Sequence, residues 1–189
     1  MRVLLAEDDP IFRLDLAQML SEMGASEVCQ CQNGAQALTM LKEKNWDLVV
    51  LDVAMPGIDG LRVAGEVSRL RLAPVILVTA YSDEQTIKRA MESGVMAYLV
   101  KPLQEDRLKA AIQLAQARFA ELKKVQLDVH QLREQLADRE AIQQAKAKLQ
   151  QEKGMSEEEA YSFIRRQSMV HQQKMGQVAR QILEGDLYF

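Results

Sequence analysis

The chain reads as an α/β protein: a doubly wound five-stranded parallel sheet, followed by a long helix and a small helical bundle. Three observations predict this. Apolar, β-rich runs, Val3-Leu4-Leu5-Ala6, Leu48-Val49-Val50-Leu51, Val75-Ile76-Leu77-Val78 and Ala97-Tyr98-Leu99-Val100, are separated by helical stretches. Each run ends at or beside a polar residue, Asp8, Asp52, Thr79 and Lys101 in turn, and in open parallel sheets the crevice outside the carboxyl ends of the strands is where ligands bind. From Asp106 to Lys153 there is neither Gly nor Pro and most residues are strong helix formers.

The elements follow in order. Strands are expected to begin near Val3, Val28, Leu48, Val75 and Ala97. Pro10 suits the first turn of a helix that Gly24 can end. Cys29 and Cys31, two apart in an alternating stretch, face the same side of the second strand and read as packed, reduced thiols. Pro74 stands at the start of the fourth strand, where a missing N–H is tolerated. Ser82-Asp83-Glu84-Gln85 has capping-box spacing, and Gly94 is a stop for the helix it would open. Right-handed crossovers then close a three-layer domain over residues 1–120.

Beyond it, Leu108, Ala115, Leu122, Val129 and Leu136 recur every seven residues, joined by Ile112, Phe119, Val125 and Leu132. This stripe predicts a homodimer through the helix around 108–136, with packing inside the monomer as the alternative. The connecting helix, 106–140, overlaps both domains. Gly154 ends the long helix, and Ser156-Glu157-Glu158-Glu159 caps another reaching about Val170. A last helix over 175–183 puts Met175, Val178, Ala179 and Ile182 on one face. Residues 124–189 therefore form a small three-helix domain.

With 24 Lys and Arg against 27 Asp and Glu in 189 residues, a net charge of −3 excludes a strongly basic nucleic-acid coat. The balance is uneven: 13 basic and 17 acidic residues through Glu121, 11 and 10 from Leu122 onward. No apolar run reaches the length of a membrane span and the N-terminus shows no signal-peptide pattern, so a cytoplasmic protein is expected. No second constellation of nucleophile, base or cofactor loop follows residue 120, so the output is not expected to be an enzyme.

The strand-end residues point to phosphoryl chemistry. Glu7 and Asp8 beside Asp52 repel one another, and Mg2+, a hard ion preferring oxygen, relieves that repulsion. Asp52 can then act as a carboxylate nucleophile toward an incoming phosphoryl group. Lys101 can pair with the phosphoryl oxygens, and the Thr79 hydroxyl can donate to one of them.

In order and spacing, the segments VLLAEDDP, DLVVLDVAMPGIDG, VILVTAYS and AYLVKP resemble the receiver domain of bacterial response regulators, a flavodoxin-like fold, over about residues 1–120. The resemblance implies Glu7 and Asp8 as the acidic pair, Asp52 as phosphoacceptor, and Ala54 as a metal ligand through its backbone carbonyl. It also implies Thr79 and Lys101 as phosphate-sensing residues, Tyr98 as the switch aromatic, and a cis Lys101-Pro102 peptide. Ala54 departs from the polar side chain often found at that position. A sensor histidine kinase or a small phosphodonor is the implied partner.

The stretch 141–183 is similar to the ANTAR domain, the RNA-binding output of transcription antitermination regulators. The similarity rests on Gln144-Ala145-Lys146, Ser156-Glu157-Glu158-Glu159-Ala160-Tyr161, Ile164-Arg165-Arg166, Val178-Ala179 and Ile182. It implies RNA stem-loops in leader transcripts as ligands, with Lys146, Lys148, Arg165, Arg166 and Lys174 toward phosphates and Tyr161 able to stack on a base. The expected function is a two-component regulator, phosphorylated on Asp52, that dimerises and binds RNA stem-loops to promote antitermination. A DNA-binding regulator and a protein-interaction regulator indifferent to phosphorylation are the alternatives. The final Asp186-Leu187-Tyr188-Phe189 reads either as natural sequence or as a protease-tag remnant.

Overall fold

The structure is a computed structural model that describes residues 1–80 and 84–185. The cap expected at Ser82 and the last four residues lie outside the described residues. The chain divides into two compact units, 1–123 and 124–189.

In the first unit, strands β1 (Arg2–Ala6), β2 (Glu27–Cys31), β3 (Leu48–Asp52), β4 (Val75–Thr79) and β5 (Ala97–Val100) form one sheet in the order β2-β1-β3-β4-β5. All four neighbouring pairs are parallel, as expected of the doubly wound class. Side chains alternate across the sheet. Leu4, Val49, Leu51, Val75 and Leu77 face helices α2 (Gly34–Met40), α3 (Gly60–Leu70) and α4 (Glu84–Glu92), meeting Ala37, Val63, Val67 and Ala90. Val3, Leu5, Leu48, Val50, Ile76 and Val78 face α1 (Pro10–Glu22) and the start of α5 (Glu105–Lys153), meeting Leu16, Leu20, Leu108, Ile112 and Ala115. Strands buried on both faces explain why the sequence shows continuous apolar runs there rather than alternation.

Local signals act where expected. Pro10 occupies the first turn of α1, Gly24 and Gly94 adopt positive φ just past their helices, and Lys101-Pro102 is cis. Cys31 is buried and Cys29 half-buried against the same side of the sheet, and neither is in a disulfide.

The heptad stripe is where the expectation needs correcting. Leu108, Ile112 and Ala115 are buried in the monomer's own core, because the first turns of α5 cover the sheet. They are not available to a second copy. The exposed part of the stripe begins at Leu122 (51 %) and continues through Val125, Val129, Leu132 and Leu136, each at least 42 % exposed.

In the second unit, the end of α5 packs with α6 (Glu157–Val170) and α7 (Met175–Glu184) around Ala141, Ala145, Leu149, Ala160, Ile164, Val178, Ala179 and Ile182. Gly154 ends α5 with φ +67, and Ser156 and Glu159 form the reciprocal capping box. Gly176 permits a close approach: a Cβ there would lie 2.2 Å from the Asp138 carboxylate, which also accepts from Arg180 at 2.5 Å.

Candidate functional site

The carboxyl ends of β1, β3, β4 and β5 bring five polar side chains to one edge of the sheet. Asp52 is the last residue of β3 and is buried. Glu7 and Asp8 follow β1 directly; Glu7 is buried and Asp8 exposed. Thr79, wholly buried, ends β4, and its carbonyl accepts from the Lys101 N–H at 2.8 Å. That bond ties the turn after β5 to the end of β4.

Lys101 links the carboxylates. Its ammonium lies 2.8 Å from Glu7 Oε2 and 3.1 Å from Asp52 Oδ1, with only a fifth of the side chain exposed, and stands over the Phe12 ring at 4.1 Å. One oxygen each from Glu7, Asp8 and Asp52 falls within 4.8 Å of the others. Burial pushes the Glu7 carboxyl up from its ordinary value; the Lys101 hydrogen bond opposes that and the charge of Asp52 adds to it. Burial pulls the Lys101 ammonium down, but its bonds to Glu7 and Asp52 prevail and hold it above the usual lysine value. Three close carboxylates against one cation leave an excess of negative charge on hard oxygen donors. That donor set fits Mg2+.

The loops are held by groups that the sequence reading did not single out. Asp9 caps α1: its Oδ1 accepts from Ile11 and Phe12 N–H at 2.8 and 3.2 Å. Its position just before Pro10 was the available signal. Arg13 donates to the Glu7 carbonyl at 2.7 Å and the Asp8 carbonyl at 3.3 Å, fixing the acidic turn from one helical turn away. The Ala54 N–H donates to Asp52 Oδ2 at 2.7 Å, so the contact seen at this position is the amide. Gly60 closes the loop after β3. Its N–H donates to the Val53 carbonyl at 3.0 Å, and a Cβ there would sit 1.9 Å from the Asp52 carbonyl oxygen, so only glycine fits without moving the backbone that carries Asp52. Tyr98, in β5 opposite Leu77, is half-buried against the α2–α4 side of the core.

In the second unit the residues expected to face RNA separate into two groups. Tyr161 is 45 % exposed, and Arg165, Arg166 and Lys174 are exposed. Lys146 and Lys148 are corrections. Lys146 is buried and its ammonium donates to Glu157 at 2.6 Å. The Lys148 ammonium donates to the Ile182 and Leu183 carbonyls at 3.0 and 3.1 Å, covering the C-terminal end of α7. Both charges are used inside the bundle, so neither is assigned to phosphate.

Among the described residues no helix is long and apolar enough to cross a membrane. Residues 3–113 match the response regulator receiver domain family, and residues 130–183 match the ANTAR domain family. The transcriptional regulatory protein PdtaR of Mycobacterium tuberculosis is 40 % identical over 183 residues, covering 97 % of this chain and 89 % of that protein. Among solved structures, the response regulator TrrA of Thermotoga maritima, in complex with Mg2+ and BeF, is 37 % identical with a TM-score of 0.55, covering 60 % of this chain and 97 % of that one. A LuxR-family DNA-binding response regulator from Staphylococcus aureus is 29 % identical with a TM-score of 0.57, covering 61 % of this chain and 98 % of that one.

Proposed function

The chain belongs to the response regulators, with a receiver domain at 3–113 and an RNA-binding ANTAR output at 130–183, and from that premise we propose that phosphorylation of Asp52 controls RNA binding. The observation that carries this reading is the shared ion pair at the sheet edge: Lys101 bonded to both Glu7 and Asp52, beside an exposed Asp8.

The phosphoryl group comes from a sensor histidine kinase or a small phosphodonor. An Asp52 carboxylate oxygen forms a bond to phosphorus while the bond from phosphorus to the donor's nitrogen or oxygen breaks. The electron pair leaves with the donor, and a departing imidazole takes its proton from solvent. Mg2+ held by Glu7, Asp8, Asp52 and the Ala54 carbonyl supplies neutralisation of the phosphoryl oxygens when bound. Lys101 exchanges a carboxylate partner for a phosphoryl oxygen, the Thr79 hydroxyl donates to another, and Tyr98 shifts with Thr79. The surface of the first unit is thereby biased between two arrangements.

The output is RNA recognition by two copies. The exposed stripe from Leu122 to Leu136 suits pairing with a second chain, and a dimer presents two bundles, so two weak contacts gain from effective concentration. Hairpin-loop bases are open to stacking and hydrogen bonding, whereas the A-form major groove is not. Tyr161, Arg165, Arg166 and Lys174 are the proposed contacts. Binding that stabilises one hairpin over a competing one would promote antitermination.

Sedimentation and RNA binding, each with and without beryllofluoride and Mg2+, test the scheme. A two-hairpin RNA is expected to bind the treated protein more tightly than the untreated, and Asp52→Ala to abolish that difference while the chain stays folded. Equal binding of treated and untreated protein, or a duplex DNA that outcompetes the looped RNA, sinks the reading.

A further inference from the structure

We propose that the pairing of two copies continues past Leu136 along α5, as a polar seam over residues 139–150 that fixes register and holds the two bundles on opposite flanks of the pair. This rests on the pairing proposed above for the apolar stripe and extends it into the output unit.

The seam follows from which sides of one helix are occupied. At about 3.6 residues per turn, Ala141, Ala145 and Leu149 share one side of α5, and all three are buried in the core formed with α6 and α7. The opposite side continues the line of Val125, Val129, Leu132 and Leu136. Its next members are Arg139, Glu140, Gln143, Ala147 and Gln150, all exposed. The bundle therefore lies across α5 from the stripe and leaves this line uncovered.

Side-chain partners divide in the same way. On the flanks toward the bundle, Asp138 accepts from Arg180 at 2.5 Å and Lys146 donates to Glu157 at 2.6 Å. Arg139, Glu140, Gln143 and Gln150 have no side-chain partner among the described residues. A second copy of the same line complements them. In the heptad that places Val129 and Leu136 at a and Leu132 at d, Arg139 falls at d and Glu140 beside it at e. In a parallel, in-register pair Arg139 of each copy then meets Glu140 of the other. Gln143 and Gln150 fall at a, each opposite its own counterpart, where one amide donates and the other accepts. Lys146, at the intervening d position, is turned aside to Glu157, and the small Ala147 next to it permits close approach. RNA fits this line less well, because one arginine offset by one glutamate among neutral amides gives phosphate no net attraction.

The two parts of the line act differently. The apolar stripe supplies affinity, whereas polar residues at a specify register at some cost in stability. Register matters for the output: with each bundle outward at a fixed separation, both can engage one two-hairpin RNA, and the gain from linking them is kept.

The test uses the full chain carrying Cys29→Ser, which removes the half-buried native thiol and leaves Cys31 buried. Val129→Cys, Gln143→Cys or Gln150→Cys is added singly. With beryllofluoride and Mg2+ present and copper phenanthroline as oxidant, each is expected to give a disulfide-linked dimer. Cross-linking through Val129→Cys alone overturns the seam and leaves the stripe pairing intact; none at Val129→Cys overturns the pairing itself. Gln143→Cys and Gln150→Cys that resist cross-linking, yet lose maleimide reactivity when a two-hairpin RNA is added, would assign the line to RNA and overturn the seam. By sedimentation, Glu140→Arg should weaken self-association roughly tenfold, since two exposed ion pairs are lost and like charges meet. Arg139→Glu together with Glu140→Arg should recover it, and failure to recover overturns the proposed register. Once linked, the Gln150→Cys dimer should bind the two-hairpin RNA without beryllofluoride. If it does not while the linked Val129→Cys dimer does, the seam is not part of the RNA-binding form.

Discussion

Lys101 balances two buried carboxylates with one charge, and that arithmetic makes it a stability residue as well as the proposed phosphate sensor. Lys101→Met should destabilise the metal-free receiver by about 3 kcal/mol, the low end for breaking a buried pair because Lys101 keeps some exposure. Millimolar Mg2+ should restore much of the loss. Glu7 is already held above its ordinary value, and without Lys101 it rises further. A carboxyl raised in the folded state favours folding when protonated, so that contribution is present at low pH and is lost as pH rises through the raised folded value. The metal-free variant should therefore gain stability, relative to the unsubstituted chain, as pH falls from neutral toward the ordinary glutamate range. Urea titrations in EDTA and in Mg2+ across that window check both points; a deficit indifferent to Mg2+ and pH would refute them. Gly60→Ala places a methyl against the Asp52 carbonyl and should cost about 1–3 kcal/mol while slowing phosphorylation, measured by a donor time course. The clustered carboxylates and Lys101 stood out in the sequence because each lies where an apolar run stops. Their supports did not: Arg13 acts through backbone carbonyls, and Gly60 acts through space that only the folded turn defines.

At the scale of elements, hydrophobic period shows which residues share a face but not what covers that face. The seven-residue stripe on α5 looks continuous from Leu108 to Leu136, yet the sheet covers its first turns and solvent the rest. Caps, by contrast, are local, and the box at Ser156 and Glu159 was readable from four letters. Ser156→Ala should destabilise the bundle by about 1 kcal/mol, visible as a lowered thermal midpoint of its transition. For the exposed stripe, a parallel in-register pairing sets Asp128 against Arg133 of a second copy, at flanking positions that choose orientation. Asp128→Arg should weaken self-association and Asp128→Arg with Arg133→Asp should recover it, by sedimentation equilibrium. Recovery absent in the double variant would exclude that register.

For the whole molecule, control by phosphate requires that two sites share free energy, and such coupling is reciprocal. RNA that binds the activated form more tightly should tighten beryllofluoride binding at Asp52 by the same factor. Titrating beryllofluoride with and without a two-hairpin RNA reads that factor; two superimposable curves would mean that the receiver and the helices act independently. The assignment of charge across the molecule is also less uniform than a count of basic residues suggests, since Lys146 and Lys148 find partners 11 and 34 residues away that no local pattern announces. Chemical footprinting of this protein thus carries a trap. Amine-directed reagents would find both lysines shielded before any transcript is added, and blunting either one would loosen the bundle, so a vanished gel shift would mimic a lost contact while reporting a broken latch.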